Sequence, residues 1–181
     1  MRKSLTVFAN TKGGRVLVSN DFHHPHNAEN MEIYHGGYCL IENPKIIEGK
    51  YAKDFGTGFY CTEIREQSVR WAKRYDTPTV NVYNFQIDSN LNIRNFEEMT
   101  EEWLAFIVDC RNNVKHNFDI VVGAMANDQI YNYIADYISG TLTKEQFWVL
   151  AKFKHPTHQI SFCTNEALKC LTFIKKEEIE K

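Results

Sequence analysis

Tyr60, Ser68 and Trp71 are of the types needed to hold a flat aromatic amide: two rings to stack on its faces and a hydroxyl to bond its polar end. They follow Lys53-Asp54-Phe55-Gly56-Thr57-Gly58, where two glycines one residue apart let the backbone take positive φ and come close to a ligand. His35-Gly36-Gly37 closes an earlier apolar run, Met31-Glu32-Ile33-Tyr34. Gln159 opens a late apolar run and offers a neutral amide that donates and accepts.

The elements that must position these groups can be read from periodicity. Met31 to Tyr34 reads as a strand ending at His35-Gly36, and Phe59-Tyr60-Cys61-Thr62 as a short buried strand. A helix over 64–75 places Ile64, Gln67, Ser68 and Trp71 on one face. Strict alternation predicts a strand over 79–88, extended to Ile93 through Leu91. Thr100 caps a helix over 100–112. Residues 118–123 read as a buried strand, followed by a helix over 129–139 that starts at Asn127-Asp128 and stops at Gly140. Thr143 and Gln146 have capping-box spacing for a helix to Phe153. A strand over 158–164, a short helix over 165–171 and a strand over 172–174 complete the domain. Short alternating strands among isolated helices predict an α+β fold of two small, mainly antiparallel sheets around a cleft.

Outside this domain, residues 1–30 read as an N-terminal extension with a β-hairpin across Lys12-Gly13-Gly14, and 175–181 as a frayed charged tail. His23, His24 and His26 sit together but lack a helix or second ligand cluster to complete a metal site, so a polar loop and no metal are expected. The 181 residues are 43% hydrophobic and 24% charged, near globular averages, which excludes wholesale disorder. No apolar run has the length of a membrane span, and no signal-peptide core follows Met1-Arg2-Lys3, so a cytoplasmic protein with no membrane partner is expected. Five scattered cysteines without a Cys-x-x-Cys fit reduced thiols. The net charge of −2 gives no global field for nucleic acid.

Phe55-Gly56-Thr57-Gly58-Phe59-Tyr60, with Ser68 eight residues on and Trp71 three further, resembles the second segment of the ADP-ribosyltransferase superfamily, in the poly(ADP-ribose) polymerase-like branch. Tyr34-His35-Gly36 resembles its first motif and Gln159 stands where its third places Glu, so the His-Tyr-Glu triad of many relatives appears as His35, Tyr60 and Gln159. From His35 to Phe173 the chain resembles one bacterial domain-of-unknown-function family with an ADP-ribosyltransferase-like fold. The resemblance implies NAD as co-substrate. Tyr60 and Trp71 would stack on nicotinamide, Gly36 (whose missing Cβ lets an amide pair with the main chain) and Ser68 would bond its carboxamide, and His35 would bond the adenosine-side ribose. Gln159 would bond ribose without the charge of Glu. The implied activity is mono-ADP-ribosylation of an unidentified acceptor, protein or nucleic acid, in bacterial conflict or phage defence, with an antitoxin-like partner protein. The alternatives are an inactive NAD- or ADP-ribose-binding module and an NAD glycohydrolase. If Asp54 or Asp128 lies near the ribose, it would supply the missing carboxylate.

Overall fold

A computed structural model of the chain describes residues 31–49, 52–126, 128–151 and 157–181. Thr79–Phe85 (β3) is buried at every position but Asn84, which suits its apolar and β-branched residues to the middle of a sheet. It lies between Met31–Gly37 (β1) and Leu171–Glu178 (β7), antiparallel to both. Asn81 and Tyr83 reach from β3 to hold the segment after β1. The Asn81 amide donates to Cys39 O (2.9 Å) and accepts from Ile41 N (2.9 Å), while the Tyr83 hydroxyl donates to Ile41 O (2.5 Å).

A second sheet has the order Phe59–Cys61 (β2), Gln159–Phe162 (β6), Ile120–Gly123 (β5) and Ile93–Asn95 (β4), with β4 and β5 parallel and the other pairs antiparallel. Five helices accompany the sheets among the described residues: Arg65–Ala72 (α1), Glu101–Arg111 (α2), Asp128–Ile138 (α3), Lys144–Leu150 (α4) and Asn165–Leu168 (α5). Thr100 caps α2 by accepting from Trp103 N, and Thr143 with Gln146 forms the expected capping box on α4. The architecture is α+β, with two mainly antiparallel sheets, as the sequence pattern predicts.

Period-2 alternation along the second sheet divides the core in two. Phe59, Ile120, Ile160 and Phe162 face Ile33, Tyr83 and Phe85 of the first sheet. Val121 points the other way, with Phe55, against Trp103, Ile107, Ile134 and Phe147 of the three helices. Tyr60 also packs on this second face, and its cross-strand partner is Ser161.

The structure corrects the expected frayed tail. Residues 175–178 are the second half of β7, paired with Thr79 to Val82. A Lys-Lys-Glu-Glu run reads as solvated, but β7 is an edge strand, and edge strands carry charge readily. Glu177 moreover accepts from Arg65 of α1 (2.5 Å), which draws the strand's end onto that helix. The expected hairpin, His23, His24, His26 and Asn127 lie outside the described residues.

Removal of 175–181 should therefore uncover half of β3. The lost ladder bonds are expected to cost roughly 2–4 kcal/mol, lowering Tm by about 5–10 °C in a thermal melt. An unchanged Tm would return the segment to the status of a loose tail.

Candidate functional site

The two sheets touch along the edges of β1 and β2, but only briefly. Tyr34 and Thr62 exchange both backbone hydrogen bonds (2.8 and 2.9 Å) in an isolated bridge. The ladder then stops and the edges part. Where it would continue, the His35 ring takes the place of main chain, with Nδ1 2.7 Å from Tyr60 O.

That bond determines the chemistry of His35. A carbonyl oxygen only accepts, so Nδ1 carries the proton and donates. Burial, with help from the nearby Lys53 charge, holds the imidazole below its ordinary pKa and keeps it neutral, although the Tyr60 bond pulls the other way. Nε2 is then an unprotonated acceptor, suited to a ligand hydroxyl. Stacking on Phe59 (centroids 4.5 Å apart, 22° between planes) fixes the ring's direction. The neighbouring Gly37 keeps the Nε2 edge open, because a Cβ there would come within 3.3 Å of Nε2.

Tyr60 and Gln159 stand on the two strands β2 and β6 and are diagonal neighbours by register, since Tyr60 faces Ser161. The Tyr60 hydroxyl donates to Gly56 O (2.7 Å) and accepts from Phe55 N (3.1 Å), bracing the turn whose Gly56 has φ +74°. Burial pushes the phenol pKa up, so it stays protonated. The Lys53 ammonium lies 4.7 Å from the centroid of the Tyr60 ring and donates to Gly58 O (3.3 Å). Gln159 is buried and donates through Nε2 to Asp54 Oδ2 (3.3 Å).

Asp54 is the hub of this arrangement. Its other oxygen accepts from Arg111 Nη2 (2.5 Å), and Oδ2 also accepts from Ala126 N (2.9 Å). Both members of the ion pair are buried, with side chains 10% and 7% exposed. Arg111 also donates to Tyr131 O (3.2 Å) and lies over the Tyr131 ring (4.2 Å), while its Nε has no partner among the described residues. The carboxylate beside Gln159 is thus present but compensated. Asp54, one of the acids considered from sequence, has this place.

Helix α1 forms the other wall. Gly36 does lack room for a Cβ, but for a different reason from the one expected: a Cβ would overlap the Ser68 carbonyl, so glycine lets helix and strand pack backbone to backbone. The Ser68 hydroxyl turns back to Arg65 O (2.7 Å). The buried face of α1 is Gln67, Ser68 and Ala72, and Trp71 is 41% exposed, with the Arg74 guanidinium over its ring. Of the residues expected on one face of this helix, Ser68 is buried and Trp71 stands at the exposed edge, because the buried face runs from Ser68 to Ala72. Trp71 nevertheless lies one turn from Gln67, whose amide exchanges two bonds with the His158 main chain (2.5 and 3.1 Å). This clamp holds the start of β6, and hence Gln159, against α1.

The structure therefore joins His35 to Tyr60, Gly36 to Ser68, and Gln159 to the loop before Tyr60; Trp71 stands at the outer edge. Arg111, Gln67, His158 and Lys53 were missed as site residues. Gln67 alone carried a readable signal, as a polar residue on the inward face of its helix; Arg111 reads as an ordinary cation at a helix C-terminus.

Breaking the Asp54–Arg111 pair from one side should cost about 3–5 kcal/mol, because it strands a buried charge. Chemical denaturation should show Arg111→Met and Asp54→Asn each strongly destabilised, and the double variant less so than the sum. The imidazoles give a second expectation. An imidazole held neutral when folded protonates more readily when unfolded, so stability should fall as pH drops below about 6.5 and level off below the depressed folded value. His158 shifts the same way through burial, against the pull of Glu63. His35→Gln should lose less stability than wild type between pH 7.5 and 5.5 in urea titrations; an identical loss would contradict a neutral His35.

Comparison with curated proteins and with solved structures finds no match. A family model described as "Protein of unknown function (DUF3990)" matches residues 31–173, from the first residue of β1 into β7. His35, Tyr60, Gln159, Asp54 and Arg111 all fall inside that match, and on its extent the chain belongs to the DUF3990 family.

Proposed function

We propose that the parted edges of β1 and β2 bind NAD and that the protein is an NAD-dependent mono-ADP-ribosyltransferase with an ADP-ribosyltransferase-like fold. The reading is carried by His35, which is neutral, oriented by Tyr60 O and Phe59, and has no hydrogen bond at Nε2 among the described residues, so that Nε2 would accept from a ribose hydroxyl. The Tyr60 ring would stack on nicotinamide, which requires Lys53 to swing off that ring or the ligand to take its other face. Gly36 and Ser68 would meet the carboxamide, which requires the Ser68 hydroxyl to leave Arg65 O, and Trp71 would close the outer side. In the reaction the nicotinamide–ribose bond breaks, nicotinamide leaves with the bonding electrons, and an acceptor nucleophile bonds to the ribose carbon and gives up its proton.

Gln159 fits this reading as a positioning amide. Its partner Asp54 explains the absence of Glu: a second carboxylate 3.3 Å from the first would be driven to take a proton. Gln159→Glu is therefore expected to bring no gain in turnover, although a carboxylate opposite a developing oxocarbenium would ordinarily help.

A second reading, a module that binds NAD without turnover, is favoured by one observation. Arg111 compensates the charge of Asp54, the carboxylate that Gln159 bonds.

Nicotinamide release from purified protein, with and without cell lysate, separates the readings. A transferase should release nicotinamide faster with lysate and label an acceptor; a binder should bind NAD without release. Gln159→Ala should keep NAD affinity within a few-fold, one neutral bond being worth roughly 0.5–1.5 kcal/mol, yet cut release about tenfold or more. Trp71→Ala should weaken NAD binding about three- to tenfold, as loss of a stacking face predicts. Failure of wild type to bind NAD at millimolar concentration would defeat both readings.

A further inference from the structure

The far end of α1 and the segment after β1 present three aromatic rings to solvent. Tyr38, Trp71 and Tyr75 are exposed, Tyr38 most of all at 60%. The Tyr38 and Tyr75 rings lie 5.2 Å apart, inclined by 52°. Trp71 stands one turn before Tyr75, and the turn runs on past α1 through Arg74 N to Trp71 O (3.2 Å) and Tyr75 N to Ala72 O (3.0 Å).

These rings sit on well-held backbone. Thr77 Oγ1 donates to Tyr38 O (2.6 Å), and Asn81 and Tyr83 bind Cys39 and Ile41 just beyond. Rings held rigidly in water lose little conformational entropy when a ligand covers them.

The charge around them is positive. Arg70 and Arg74 are exposed one turn apart on this stretch, and Arg74 lies over Trp71. The one acid in that turn, Asp76, is paired with Lys181 (3.3 Å). An apolar peptide would cover the rings but leave the cations without counter-charge. Flat rings interleaved with cations complement a strand of bases alternating with phosphates. A duplex keeps its bases stacked inside and could not use the rings.

We propose that this surface binds single-stranded nucleic acid, with bases stacking on Tyr38, Tyr75 and the edge of Trp71 and phosphates meeting Arg70 and Arg74. The proposal stands on the patch alone and does not depend on NAD binding.

Fluorescence anisotropy with labelled twelve-nucleotide strands of RNA and DNA, and with the matching duplex, tests it on the full chain. Single strands should bind in low salt and the duplex distinctly less. Tyr38→Ala and Tyr75→Ala should each weaken single-strand binding about tenfold, as loss of one stacked base predicts. Arg70→Gln with Arg74→Gln should make the dependence of log K on log salt shallower by about 1.4. The exposed position of all four residues should leave Tm unchanged, and the tyrosine variants should keep the NAD affinity of wild type, whatever that is. No single-strand binding at 50 mM salt, duplex binding of equal strength, or binding indifferent to both tyrosines would overturn the proposal.

Discussion

A buried carboxylate with three donors holds the candidate site together. Burying a charge costs several kcal/mol unless it is paired and bonded, so Asp54 determines where its partners must stand. Arg111 brings the last turn of α2, Ala126 N the segment after β5, and Gln159 the first residue of β6. The loop from Lys53 to Gly58 is thereby pinned on three sides before the chain enters β2. Tyr60 completes the bracing from the strand side by bonding Phe55 N and Gly56 O. The polar groups of the site are thus the same groups that shape the loop carrying it.

The same economy governs the parting of the sheets. Once the Tyr34–Thr62 bridge ends, Tyr60 O needs a donor, and His35 supplies it from its ring. One bond therefore satisfies a main-chain acceptor, selects the imidazole tautomer and leaves a lone pair on Nε2. Gly36 lets α1 approach β1 closely enough to close one side, and Gln67 ties that helix to His158 on the other. The proposed transferase and binding readings share this frame and differ only in what the compensated Asp54 charge permits beside Gln159.

Much of the frame follows from local pattern. The alternation of 79–85, the caps at Thr100 and Thr143 and the glycine-flanked strands lead to the right elements, because each depends on residues within a few positions of one another. Tyr60 and Ser68 could be singled out from residue type and spacing, whereas His35 and Gln159 stood out through their resemblance to the motifs of a known superfamily. The extent of β7 was not legible, because a charged edge strand has the composition of a solvated tail until its partner strand and Arg65 are in place.

By itself, the sequence determined the α+β class, the identity of most strands and helices and the residues worth considering as a site. Tertiary structure alone decided their partners. Asp54 meets Arg111 across 57 positions and Gln159 across 105, and neither separation has a period or a motif. Periodicity records which face of an element is buried; which buried polar groups share that space depends on how the faces pack. For that reason the neutral amide at Gln159 looked like a lost charge in the sequence, whereas in the fold it is the donor that a neighbouring carboxylate requires.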